Sequence, residues 1–424
     1  MKLLTFLGTS KYSRTTYVWQ EREQITEYVA EALNRLFEVD VVKVFLTKKA
    51  REIHWESFRD CILNSEDIPI PSGESEEELW QIFEAVVNSV ETGDRILLDV
   101  THSFRSIPFF VFLAGIYLQK SRNVTIQGVY YGAYERNRER TPIFDLTPTL
   151  KFVDWLTATE KFLDTGSATD LGQLLSTIQS DFYKQDRQKR EPVKPEILGK
   201  FGTQIKGISD SIELVRPLKL MEETAFLQKL SYDRLKEDVG AFAQPFALLL
   251  DRIQADYGQF ALSNSRDADP KQALVKQMDL LRWYVKKSLY AQAILLGREW
   301  VVSALCVGLE RDYLEPNERQ QIERGLNELV AWTQEHSTKP LSINALGLVV
   351  QDLANLASFW SKMRDIRNDL AHTEMRRDSL SASKMTQFVK KNLLQELENL
   401  FVSLLLLDTD QKVDESSVIH QSKD

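Results

Sequence analysis

Cysteine is almost missing from this 424-residue chain. Cys61 and Cys306 lie far apart with no Cys-x-x-Cys pair, so neither a disulfide framework nor a structural zinc site is indicated. Long apolar runs are missing too. No stretch approaches the roughly 20 uninterrupted apolar residues of a membrane span, and the opening Met1 to Gly8 is too short and too lightly flanked for a signal peptide, so a cytoplasmic protein is expected. Positive charge is in deficit, with a net charge of -9 and a pI near 5.4. That excludes a protein that coats nucleic acid non-specifically, and any RNA contact must be local. The one basic cluster, Tyr183 to Arg190, reads more simply as a solvated surface. No Gly-x-Gly-x-x-Gly follows the first strand and no Walker lysine motif occurs, which removes the main support for dinucleotide binding and P-loop phosphoryl transfer. No basic helix has helix-turn-helix spacing, and there is no internal repeat.

What is present is enough apolar residue, 43%, for two or three packed domains. The first 150 or so residues alternate short apolar runs with helical patterns. Leu3–Leu7, Val41–Leu46, Arg95–Val100 and Thr125–Tyr131 read as strands; Glu21–Phe37, Glu77–Val90 and Ile107–Leu118 read as helices. Such alternation implies an α/β, Rossmann-like domain with a mostly parallel sheet covered on both faces. After about Leu150 the strand signals fade, and Leu156–Leu163, Asp170–Ser180, Leu214–Asp238 and Leu274–Leu309 read as helices of an all-α part. The expected domains are 1–155, a helical linker or insertion over 156–270, a final helical domain over 271–407, and a polar, disordered tail over 408–424, with Ser263 to Pro270 as the internal boundary.

In an open parallel sheet, ligands sit beyond the carboxyl ends of the strands, where loop amides and helix N-termini face an anion. Two loops occupy that place. Gly8-Thr9-Ser10 follows the first strand, offering close backbone approach and two hydroxyls. Thr101-His102-Ser103-Phe104-Arg105-Ser106 follows the strand ending Asp99-Val100, with Pro108 placed to open a helix. The plain alternative is that these residues are helix caps and loop hydrogen bonds.

Near the other end, Phe359, Met363, Ile366 and Leu370 form one apolar helical stripe. At about 100° per residue, Arg367 lies on its flank, while Asn368 and His372 share the outward face. An outward histidine beside an asparagine and an arginine suits chemistry on a phosphodiester, which needs a proton shuttle and a cation for the charge on phosphorus. The alternative is a solvated face on which Arg367, Asp369 and His372 are surface charges alongside Arg364, Asp365 and Glu374.

The paired N-terminal loops, with Tyr130-Tyr131-Gly132-Ala133 near the domain end, resemble the CARF sensor domain of CRISPR-associated proteins. That resemblance implies dimerisation and binding of a cyclic oligoadenylate across the two-fold axis, lined by Gly8, Thr9, Ser10, Thr101, His102, Ser103 and Arg105. Combined with Arg367-x4-His372, the chain resembles the CARF-HEPN effector ribonucleases of type III CRISPR systems (the Csx/Csm group), in which two Arg-x(4-6)-His motifs pair into one composite site. The resemblance implies a cyclic-oligoadenylate-activated, metal-independent endoribonuclease acting on single-stranded RNA, with Arg367, His372 and Asn368 at its site. It implies no cofactor, no metal and no membrane partner, and a homodimer or higher homo-oligomer. The expected products are 2′,3′-cyclic phosphate and 5′-hydroxyl ends. The activator's ring size is not legible from these residues, with cyclic tetra-adenylate the default expectation. Tyr284 to Trp300, with Gln292, Arg298 and Glu299, resembles the first HEPN helix. Two further readings stay open: a ligand-sensing regulator without catalysis, and a sensor whose CARF domain also degrades its ligand through Ser10, Thr101 or His102.

Overall fold

The computed structural model describes residues 1–102, 107–135, 139–185, 197–229, 235–237, 244–335, 346–375 and 377–404. Two compact units are present, Met1–Asp154 and Trp155–Asp424.

The first unit is built on eight strands: β1 Lys2–Leu7, β2 Thr15–Trp19, β3 Arg22–Thr26, β4 Val41–Leu46, β5 Ser65–Pro69, β6 Arg95–Asp99, β7 Thr125–Gly132 and β8 Arg140–Asp145. Their order is β3-β2-β8-β7-β6-β1-β4-β5. Pairing is parallel except for the β2–β3 hairpin and the β7–β8 pair, so the sheet is mostly parallel, as the alternating pattern implies. The central strands are continuous apolar runs because both faces are covered. Leu3, Leu7, Val42, Val44 and Leu97 pack on one side with α1 (Val29–Phe37) and α2 (Lys48–Cys61). Leu4, Phe6, Phe45, Ile96 and Leu98 pack on the other with α3 (Glu76–Asn88) and α4 (Ile107–Arg122). One expectation needs correction here: Glu21–Phe37 is not a single helix. Gln20 takes a positive φ of 54° and turns the chain back into β3, and α1 begins only at Val29. The alternation of Thr15–Trp19 with Arg22–Thr26 makes a hairpin, which a helical count over the same residues obscures.

The chain leaves the first unit through α5 (Pro148–Thr165) and continues as helices: α6 Thr169–Gln185, α7 Leu198–Glu213, α8 Pro217–Lys229, α9 Gln244–Gly258, α10 Pro270–Lys286, α11 Tyr290–Gly308, α12 Pro316–Glu335, α13 Leu353–Ala371, α14 Ala382–Phe388, a π-helical turn Val389–Leu393, and α15 Leu394–Ser403. No strand occurs among the described residues of this unit. Two expected helices are corrected. Leu214–Asp238 starts at Pro217, because Val215 sits at φ 53° and ends α7. Leu274–Leu309 is two helices, since Ser288 at φ 61° breaks the run.

One continuous core runs from Trp155 to Leu404. Asp269 caps α10 through the Lys271 amide and Pro270 opens it, so the expected boundary at 270 separates segments that share a core rather than two independent cores. Helix α11 is long and apolar enough, by length and composition alone, to cross a membrane, but most of it is buried in this core. Gly297 at its middle matters for packing. A Cβ there would meet Met363 of α13 at 3.1 Å and Leu393 at 3.2 Å, so the glycine lets α13 approach α11 closely. The expected tail and residues 186–190 of the basic cluster lie outside the described residues.

Candidate functional site

At the carboxyl ends of β1, β6 and β7, the first unit carries a cavity of about 340 Å³. Its walls include Gly8, Ser10, Thr101 and His102, Tyr131 of the aromatic-glycine stretch, and Tyr12, to which no sequence motif assigns a role. Thr9 is not among its lining residues, and Ser103 and Arg105 lie outside the described residues. The cavity floor is cross-tied. Asp99, fully buried, accepts from the Thr5 hydroxyl at 2.6 Å and the Thr101 amide at 3.0 Å, and the Thr101 hydroxyl accepts from the Gly132 amide at 2.8 Å. Burial pushes the Asp99 carboxyl up, against the pull of these hydrogen bonds.

Above the floor, Tyr12 lies between two imidazoles, with ring centroids 4.2 Å from His102 and 4.6 Å from His54. His54 Nε2 contacts the Ser10 carbonyl at 2.9 Å. The Nε2 atom of His102 is buried and has no hydrogen-bond partner among the described residues. Burial holds the His102 imidazolium down to about 4, with His54 adding a smaller push in the same direction. Burial also lifts the Tyr12 phenol to about 12. The stack is therefore neutral around pH 7, and the described charges on the cavity are Lys11 and Glu27. Backbone amides and hydroxyls, not a cluster of cations, are what this part of the cavity offers an anion.

In the second unit, α13 starts with Asp352 accepting from the Asn355 amide and buries Phe359, Trp360, Met363 and Ile366. Its end carries the three predicted polar residues. Arg367 and Asn368 are half-buried and joined, Nη1 donating to Oδ1 at 3.0 Å, and His372 is the exposed C-cap. The last turn holds His372 through its amide, which donates to the Asn368 carbonyl at 2.9 Å. Beyond it, Thr373 at φ 49° and Glu374 at φ 67° turn the chain through the left-handed region, a costly conformation for a β-branched residue. The description of Asp369 as a surface charge is overturned. It is 4% exposed, and its Oδ2 accepts from the Leu380 amide at 2.9 Å, which pins the segment after the motif. Its position three residues after Ile366 places it at the edge of the buried stripe.

Arg298 and Glu299 are structural struts. Arg298 makes a two-pronged ion pair with Glu323 (3.1 and 2.7 Å) and lies 5.3 Å from the Trp360 ring centroid, while Glu299 binds Arg319 at 2.6 Å. These contacts join α11, α12 and α13 around the base of the motif helix. Gln292 is half-buried on α11.

Residues 151–265 match the sequence profile described as the second domain of CRISPR-associated protein MJ1674. CRISPR-associated protein MJ1674 of Methanocaldococcus jannaschii is itself 23% identical over 355 residues, covering 82% of this chain and 47% of that protein. The chain thus spans about half the length of the curated relative it matches. A solved structure of Enterococcus italicus Csm6 bound to cyclic hexa-2′-fluoro-hexa-dAMP superposes with TM-score 0.42 and 11% identity, over 96% of this chain and 95% of that one, a likeness too slight to inform the site. The profile match falls on the stretch in which no functional motif is legible, between the α/β unit and the helices that carry Arg367 and His372.

Proposed function

We propose that this protein is a cyclic-oligoadenylate-activated endoribonuclease of type III CRISPR defence, acting in the cytoplasm as a homodimer without a metal cofactor. The observation that carries the reading is the end of α13, where a helix otherwise committed to the core turns Arg367, Asn368 and His372 away from it and stops on two strained residues. Outward polar groups of these types at the end of a core helix suit a site, and the left-handed turn that follows, an ordinary way for a helix to end, fixes where they stand.

In the proposed reaction the 2′-oxygen of one ribose attacks the adjacent phosphorus, and the bond from phosphorus to the 5′-oxygen breaks. The 2′-hydroxyl proton passes to a base, and the leaving 5′-oxygen takes one up. His372 serves in this proton transfer, Arg367 stabilises the charge on the phosphoryl oxygens, and Asn368 holds the arginine and orients the ribose. His372 has no hydrogen-bonding orienter among the described residues, which fits a site completed by a second chain. Cyclic oligoadenylate in the α/β cavity activates by binding the competent arrangement more tightly than the resting one, since equal affinity would shift nothing.

Purified protein, a fluorogenic single-stranded RNA and a panel of cyclic oligoadenylates, with a chelator present, test the reading. Cleavage is expected with one ring size and should fall about 10²–10⁴-fold in the Arg367→Ala, His372→Ala double variant. Absence of cleavage with every ring size, or full activity in the double variant, refutes it.

A further inference from the structure

The first backbone amide beyond β1 is the natural anion donor of such a cavity, and it is already engaged. Gly8 N donates to the Tyr12 hydroxyl at 2.7 Å, and the same hydroxyl lies 3.5 Å from the Gly8 carbonyl. Tyr12 is held by its two imidazole neighbours and belongs to no helix or strand, because residues 8–14 form the irregular link between β1 and β2. Its ring covers His102, whose buried Nε2 has no partner among the described residues.

We propose that Tyr12 is an internal competitor for the anion seat at the end of β1: its hydroxyl holds the Gly8 amide in the empty protein and gives way to a phosphate oxygen of the ligand, exposing His102 to that ligand. Three features drive the exchange. A neutral phenol oxygen is a weaker acceptor for an amide than an anionic phosphate oxygen, whose charge-assisted bond is roughly twice as strong. An unpartnered buried imidazole nitrogen is unfavourable, and withdrawal of the ring allows it a partner. The ties the exchange must loosen are modest ones among the described residues: the His54 contact to the Ser10 carbonyl and the ring contacts of Tyr12, which include an edge contact with Tyr28 at 5.7 Å. Tyr12 therefore sets the affinity of the site, because its hydroxyl must leave the Gly8 amide before a phosphate oxygen takes that place.

The identity of the ligand rests on the oligoadenylate reading above, whereas the competition concerns any phosphate, so the two can fail separately. Tyr12→Phe keeps the ring stack and removes only the oxygen, leaving the Gly8 amide without its acceptor in the empty state. Two titrations of wild type and Tyr12→Phe are compared: cyclic tetra- and hexa-adenylate by calorimetry, and inorganic phosphate followed at the amide resonance of Gly8 in glycine-labelled protein. A single cooperative thermal transition and an unaltered circular dichroism spectrum of the variant serve as the control for folding. The expected result is binding about three- to tenfold tighter in Tyr12→Phe, with the Gly8 resonance moving at correspondingly lower phosphate. If no cyclic oligoadenylate binds either protein while Gly8 still responds to phosphate more readily in the variant, the oligoadenylate reading falls and the competition stands. Equal or weaker phosphate response in Tyr12→Phe, or none in either protein, overturns the proposal.

Discussion

Replacing Asp369 by alanine tests whether the motif helix is held from inside the core. The carboxylate accepts one hydrogen bond, from the Leu380 amide at 2.9 Å, in a position 4% exposed. A hydrogen bond to a charged group contributes about 1.5–3 kcal/mol, and Leu380 is only half-buried, so water recovers part of the loss. The expected cost is therefore at the lower end, about 1.5–2 kcal/mol, or roughly 3–8 °C in the melting temperature of a unit of this size. Asp369→Asn keeps an acceptor oxygen near the same place without the charge and should lose about half as much. Activity should fall further than stability suggests. The tie closes a loop that begins at His372, and a catalytic group displaced by about 1 Å can lose on the order of 100-fold in rate. Thermal melts and RNA cleavage measured on wild type, Asp369→Asn and Asp369→Ala give the comparison. An alanine variant melting within 1 °C of wild type, or an asparagine variant as unstable as the alanine one, would refute the hydrogen-bond account.

Thr373 holds a β-branched side chain at φ 49°, so Thr373→Gly should stabilise the helical unit by about 0.5–1 kcal/mol after the entropic penalty of glycine; a lower denaturation midpoint would show that no strain resides there. His102 predicts a pH dependence. Its folded value of about 4 lies below that of an unfolded histidine near 6.5, so the unfolded chain takes up the proton first, and the stabilisation, complete above about pH 6.5, fades as pH falls toward 4. Between pH 7.5 and 4.5, wild type should lose on the order of 2 kcal/mol more than His102→Gln in denaturant unfolding, and equal losses would contradict the buried neutral imidazole.

The parallel strands were legible because continuous apolar runs such as Leu3–Leu7 and Val41–Leu46 have only one comfortable home, a sheet covered on both faces. The hairpin of β2 and β3 was not, because Thr15–Thr26 mixes polar and apolar residues at both periodicities and only Gln20's turn separates them. The outward face of His372 followed from helical spacing, since the apolar stripe fixes the rotation of α13. Asp369 escaped the same count because a buried carboxylate makes sense only once its partner, the Leu380 amide eleven residues away, is in place. Tyr12 was illegible for a similar reason: it lies outside every motif, and its role depends on His54 and His102, brought beside it from distant parts of the chain. Ser288 and Val215 are single left-handed residues of ordinary type, and only at Val215 does the sequence signal the break, through Pro217 two residues on.

The chain of hydrogen bonds from Thr5 through Asp99 and Thr101 to Gly132 runs across three neighbouring strands, β1, β6 and β7. No one of these strands can slide or tilt without parting a bond that the next depends on. The floor of the cavity thus behaves as an anvil: whatever a bound molecule presses on, the sheet does not yield, and the displacement is delivered to the links that rise from it. The first of these carries Tyr12. A rigid base beneath an irregular link would direct the energy of binding into movement of that link.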